Sequence, residues 1–148
     1  MEISEHFTLS ELTDSATATR KNISEQFTPS DAVIQNLKKL CINTLEDIRD
    51  LFKAPIIITS GYRCNRLNRE IGSVAKSQHT EGKAADFRIY GYTIEEIYLR
   101  IKNSRIDYDQ LIQEFDSWVH ISYNSDKNRK QCFRASKNKS GKTQYLID

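Results

Sequence analysis

Ser77-Gln78-His79-Thr80-Glu81-Gly82-Lys83-Ala84-Ala85-Asp86 runs without a break into Phe87-Arg88-Ile89. Ala84 to Ile89 reads as a strand with Asp86 and Arg88 on one face and Ala85, Phe87 and Ile89 on the other. The stretch before it carries a histidine seven residues ahead of the aspartate, with Gly82 free to turn the chain between them. His120, in Trp118-Val119-His120-Ile121-Ser122, is the only other histidine outside the N-terminal segment. Two histidines and one carboxylate, with a fourth position left to water, are a usual ligand set for a catalytic zinc. His79, Asp86 and His120 are therefore the candidate metal ligands. A loop residue and a residue on the following strand would have to converge with a third from a later strand.

Working outward, Pro29 to Lys53 carries the clearest helical pattern. Val33, Ile34, Leu37, Leu40, Cys41, Thr44, Leu45, Ile48, Leu51 and Phe52 form one apolar stripe. Thr28 reads as its cap, Pro29 as its first residue and Ala54-Pro55 as its end. Ile56-Ile57-Ile58-Thr59-Ser60 reads as a buried strand, followed by Ser60-Gly61-Tyr62-Arg63. Arg63, just off that strand, is suited to holding a carboxylate or oxyanion through two parallel bonds. Cys64 to Lys76 reads as a polar loop. Thr93 with Glu96 opens a further helix reaching about Asn103. Tyr108–Glu114 and Trp118–Tyr123 read as strands around a Phe115-Asp116-Ser117 turn. Gln131–Ser136 and Thr143–Ile147 read as a closing hairpin turned by Asn138-Lys139-Ser140-Gly141. Before all this, Thr8 with Glu11 caps a brief helix, and residues 13–26 read as loop with a single helical turn. The sum is α+β, helices on one side of a mainly antiparallel sheet, in a single domain spanning residues 1–148.

Composition agrees with a soluble globular chain: 38% hydrophobic and 28% charged over 148 residues. No apolar run reaches the length of a membrane span. The acidic N-terminus has no apolar secretory core, which points to synthesis in the cytoplasm without a signal peptide. Cys41, Cys64 and Cys132 show no C-x-x-C spacing and read as reduced thiols, Cys41 as a small hydrophobe on the helix stripe. From Asn124 onward there are seven Lys/Arg against two Asp. Such a tail suits any anionic polymer, and charge alone does not make a nucleic-acid partner. A chain of this size reads as a monomer.

If zinc is held with an open position, hydrolysis needs a base near its water. Glu114 and Asp116 precede His120. Glu114, ending a strand, is the first choice; Asp116, with turn chemistry, is the second.

Ser77-x-His79-x-x-Gly82-x-Ala84-x-Asp86, preceded by Ser60-Gly61-Tyr62-Arg63 and followed by Trp118-Val119-His120, resembles the zinc D-alanyl-D-alanine carboxypeptidase family of peptidoglycan peptidases. That family includes phage endolysins and is structurally related to hedgehog signalling domains; more narrowly, the chain resembles its small single-domain branch. The resemblance runs from about His6-Phe7-Thr8 through the late hairpin. It implies His79, Asp86 and His120 as zinc ligands, and Arg63 as the arginine that steadies a substrate carbonyl or carboxylate. Many members place a Glu or Asp base three residues before the last histidine, where this chain has Ser117. The implied activity is hydrolysis of a peptide bond in the stem or cross-link of peptidoglycan, as carboxypeptidase or endopeptidase. The partner would be wall peptide, reached after phage-type release or another export route. The alternative is a zinc-containing module that binds peptidoglycan without cutting it.

Overall fold

The computed structural model describes residues 1–148. Its centre is a six-stranded sheet in the order β1-β2-β4-β3-β5-β6, where β1 is Ile56–Ser60, β2 Ala84–Ile89, β3 Gln110–Glu114, β4 Trp118–Ser122, β5 Gln131–Lys137 and β6 Thr143–Ile147. All pairings are antiparallel except β3 with β5. The fold is α+β, as read from the sequence. The parallel pair arises because residues 123–130 carry the chain from the end of β4 across the start of β3 to its open side. No helix is long and apolar enough to cross a membrane.

One sheet face is apolar. Ala85, Phe87, Ile89, Leu111, Val119 and Ile121 all lie in the main core cluster. Against them pack α3 (Asp31–Leu40), α4 (Glu46–Phe52) and α6 (Ile94–Lys102), through Leu37, Leu40, Ile48, Ile97 and Ile101. The expected 29–53 helix is thus interrupted. A π turn over Cys41–Leu45 links α3 to α4, and the extra residue in that turn buries Cys41, Thr44 and Leu45 together. Thr44 Oγ1 donates to the Asp107 carbonyl at 2.8 Å. Burial pushes the Cys41 thiol up to about 12, so it stays a neutral packing group. Ser30, not Thr28, caps α3, accepting from the Val33 N–H. Thr28 instead closes a 3₁₀ turn over Ser24–Phe27.

Other local expectations are corrected in the same way. β1 is an edge strand, and Ile57 is 50% exposed rather than buried. Residues 13–26 hold a Ser15-capped helix, α2 (Ala16–Arg20), as well as the 3₁₀ turn. The Cys64–Lys76 segment begins with α5 (Asn65–Glu70), capped by Cys64. Its lone apolar Leu67 buries in a small cluster with Ala18, Ile23 and Cys64, too sparse a stripe to show as a period. The Thr8–Glu11 and Thr93–Glu96 capping boxes form as expected.

The segment leaving β1 is tied to the N-terminal helix by close backbone approach. The Tyr62 N–H donates to the Leu12 carbonyl of α1 (Leu9–Thr13) at 2.8 Å. A Cβ on Gly61 would drive into that same backbone carbonyl. Gly61→Ala should therefore cost roughly 1–3 kcal/mol and lower the melting temperature by several degrees. An unchanged melting curve would show that α1 can yield without loss.

Candidate metal centre

The polar face of the sheet carries the site. Register places Asp86 of β2 directly beside His120 of β4. His120 Nδ1 lies 2.9 Å from Asp86 Oδ1. His79 arrives from a 3₁₀ turn, Gln78–Glu81, which Ser77 caps by accepting from the His79 N–H. Gly82 ends that turn in the left-handed region (φ 74°), turning the chain into β2. His79 Nε2 then lies 3.3 Å from the same Asp86 oxygen. One ligand atom from each residue falls within 4.8 Å of the others. Zinc bonds of about 2.0–2.2 Å at tetrahedral angles separate donor atoms by roughly 3.3–3.5 Å, close to these spacings.

The protonation pattern fits a cation as well. His79 Nδ1 is 2.7 Å from the Gly61 carbonyl and donates to it, which leaves Nε2 as the free lone pair. Burial pulls the His79 pKa below its ordinary value, with Asp86 only partly opposing. Burial alone would push Asp86 up, but the two imidazoles outweigh it and hold the carboxyl well below the usual range. Burial also works against a charged His120, yet Asp86 and Glu114 outweigh it and raise its pKa. A buried carboxylate between two imidazoles calls for a positive charge among them, which a divalent cation supplies without a proton. His79, Asp86 and His120 are the residues that would hold it.

Glu114 ends β3 and is paired with Trp118 across the turn. Its side chain is 14% exposed, and Oε1 lies 3.9 Å from His120 Nδ1. Burial raises its pKa, with the His120 charge opposing. The Trp118 indole N–H is buried near this carboxylate but makes no well-formed hydrogen bond. Asp116, the second choice, stands outside the cleft. It sits in the 115–117 turn at φ 54°, exposed, its backbone N–H donating to Gln113 Oε1 at 3.0 Å and its carboxylate accepting from Gln113 Nε2. Ser117 is likewise exposed and donates to the Phe115 carbonyl. Because the chain reverses here, Glu114 reaches the His120 side of the sheet although it is six residues away.

Arg63 lines the same cleft. Its backbone N–H donates to the His79 carbonyl, and Nη2 donates to Ser77 Oγ at 3.3 Å. Its Nε is buried with no partner, so a donor stands ready for a ligand oxygen. The cleft measures about 670 Å³, within the range of small-molecule sites.

Two supports were not visible in the sequence. Fully buried Gln26 donates to the Thr13 and Tyr62 carbonyls and accepts from the Cys64 N–H, fixing the backbone on both sides of Arg63. Asp109, with no side-chain exposure, accepts from Arg129 Nε (2.8 Å), Arg129 Nη2 (2.7 Å), the Arg129 N–H (2.9 Å) and Gln78 Nε2 (3.0 Å). It thus ties the residue before His79 to the 123–130 connection. In the sequence Asp109 reads as one residue of the Tyr108–Glu114 strand, with nothing to mark a buried ion pair; the structure places it just before β3. His6, by contrast, pairs with Glu46 at 2.6 Å, far from this cleft.

Two imidazoles and a carboxylate at the floor of an open cleft, with a further carboxylate beside them, are the ligand pattern of a zinc hydrolase. A family model described as Peptidase M15 matches residues 5–122. The chain belongs to this family, that of the zinc D-Ala-D-Ala carboxypeptidases, and membership supports a metallopeptidase. The match ends at Ser122, so β5 and β6 lie beyond it, short of the late hairpin that the sequence resemblance had included. No curated protein matches the chain.

Metal analysis of zinc-dialysed protein should find one zinc per chain, lost in His120→Ala and retained in His6→Ala. Zinc at a thousandfold excess over its dissociation constant should add about 4 kcal/mol of stability. Retention of zinc by His120→Ala would put the ion elsewhere. The Asp109 network has its own signature. The Arg129 hydrogen bonds hold the Asp109 carboxyl at about 2 in the fold, below its unfolded value of about 3.9. Its stabilisation is full above that unfolded value and is lost as pH falls towards about 2. Asp109→Asn should cost about 1–3 kcal/mol at neutral pH, with the gap to wild type closing in acid. A gap independent of pH would show that the charge is not what matters.

Proposed function

We propose that the protein hydrolyses a peptide bond in the stem or cross-link of bacterial peptidoglycan, with Glu114 as general base and acid. The observation that carries this reading is a second, half-buried carboxylate on the cleft wall, 3.9 Å from a member of the His79–Asp86–His120 set. A zinc ion held by those three residues supplies Lewis acidity and lowers the pKa of water to about 7.

The chain's own groups do the rest. Glu114 accepts a proton from the attacking water and delivers it to the leaving amine. Its raised pKa makes it a better base than an ordinary surface carboxylate. Arg63, with Nε unpaired, donates to the substrate carbonyl or carboxylate as negative charge grows there. Ser77 and the His79 carbonyl hold that guanidinium and its backbone in place. Asp86, between the imidazoles, keeps both rings turned to the cleft floor. Trp118 closes one wall and limits water around Glu114.

Purified peptidoglycan incubated with the zinc-loaded protein should release stem-peptide fragments detectable by mass spectrometry, and a chelator should abolish them. Glu114→Gln should keep zinc and lose turnover by about 10²–10⁴-fold. Full activity in that variant would remove Glu114 from the mechanism. Zinc-bearing wild-type protein that binds the wall and releases nothing would favour a binding module.

A further inference from the structure

Strand register extends the catalytic face beyond the metal ligands. Directly paired residues share a face, so Asp86, His120, Ile112, Phe133 and Ile147 form one row across five strands. Trp118, Glu114, Ala135 and Tyr145 form the next. Phe133 and Tyr145 line the cleft with Ile112. The floor therefore runs from the metal ligands outward onto β5 and β6, and small Ala135 leaves room beside Glu114. Both strands lie beyond the region matched by the family model.

Arg129 stands at the edge of this floor and lines the same cleft. Its side chain is 46% exposed, yet one guanidinium edge is clamped by wholly buried Asp109 through Nε and Nη2. A long side chain held in this way loses little further freedom when it binds. Nη1 has no protein partner. Lys76 also lines the cleft, whose carboxylates are Asp86 and Glu114. The Asp109 charge is turned into the interior and does not face the cleft.

Resting on the peptidase reading above, we infer that Arg129 and the β5–β6 floor form a substrate subsite that selects a peptide residue bearing a free carboxylate beside apolar surface. Arg63 serves the reacting carbonyl or carboxylate, and Arg129 serves a second anion further along the same peptide. The Phe133 and Tyr145 rings pack against the intervening apolar atoms.

The test uses two stem peptides that differ only in one side carboxylate against the carboxamide. Calorimetry measures their binding to the full chain, and hydrolysis by the zinc-loaded enzyme gives KM for each. Wild type should bind the carboxylate peptide about tenfold more tightly, the scale of one charge-assisted pair of hydrogen bonds. Arg129→Gln should erase that ratio by raising KM for the carboxylate peptide alone, and Arg129→Lys should restore part of it. Because Arg129→Gln leaves Asp109 buried without its partner, Asp109→Asn with Arg129→Gln serves as the charge-balanced second variant and should show the same lost ratio. A ratio near one in wild type, or a ratio preserved in both variants, overturns the subsite. Protein that cuts peptidoglycan without discriminating between the peptides refutes the subsite alone. Protein that cuts nothing refutes the peptidase reading, and the binding ratio still decides the subsite.

Discussion

The Asp86 carboxylate is the group on which the rest of the structure depends. It is 9% exposed and lies on a strand whose next residue outward on either side, Ala85 and Phe87, is wholly buried in the core. A charge so placed is tolerated only with strong partners. β2–β4 pairing supplies His120 on one side, and the Ser77-capped turn supplies His79 on the other. The same strand that closes the hydrophobic core therefore presents the charge that organises the polar face. Any slip of β2 by one residue would put Asp86 into the core and an apolar neighbour into the cleft.

Around that carboxylate the supporting shell is built mainly from backbone carbonyls and buried amides. Gly61 fixes the His79 tautomer, and Gln26 joins the chain on both sides of Arg63. Asp109 couples the turn that carries His79 to Arg129 and so to the C-terminal strands. These contacts span long stretches of sequence, and each leaves a polar group buried if broken. Their effect is to hold His79, Asp86, His120 and Arg63 in one geometry.

Much of the site was legible in order of residues. The spacing of His79, Gly82 and Asp86, and the lone late histidine, marked out three groups that the fold brings within reach of one ion. Arg63 was legible as a cation placed just off a strand. Glu114 was preferred to Asp116 because the sequence already placed the chain reversal at Phe115-Asp116-Ser117, and the structure reverses there. The turn at 115–117 carries Asp116 out to solvent and leaves Glu114 facing the cleft. Gln26 and Arg129 looked like ordinary loop polar residues and Asp109 like a strand residue, since nothing local distinguishes a buried partner from a solvated one. The π turn in the long helix escaped for a related reason: an apolar stripe reports a face, and the register of hydrogen bonds within it is decided by what that face packs against.

The sequence by itself determined the α+β class, the positions of most strands and the identity of the three residues able to share a cation. Alternation, capping boxes and the scarcity of histidine are local properties, and local chemistry writes them directly into the chain. Tertiary structure alone decided the strand order, the parallel return of β5 beside β3, and the extension of the cleft floor to Tyr145. Those outcomes follow from long-range pairing, in which burying the apolar face of β3 on α6 leaves its polar edge open for β5. No local pattern encodes that pairing, because its free energy arises only once the sheet and the helices meet.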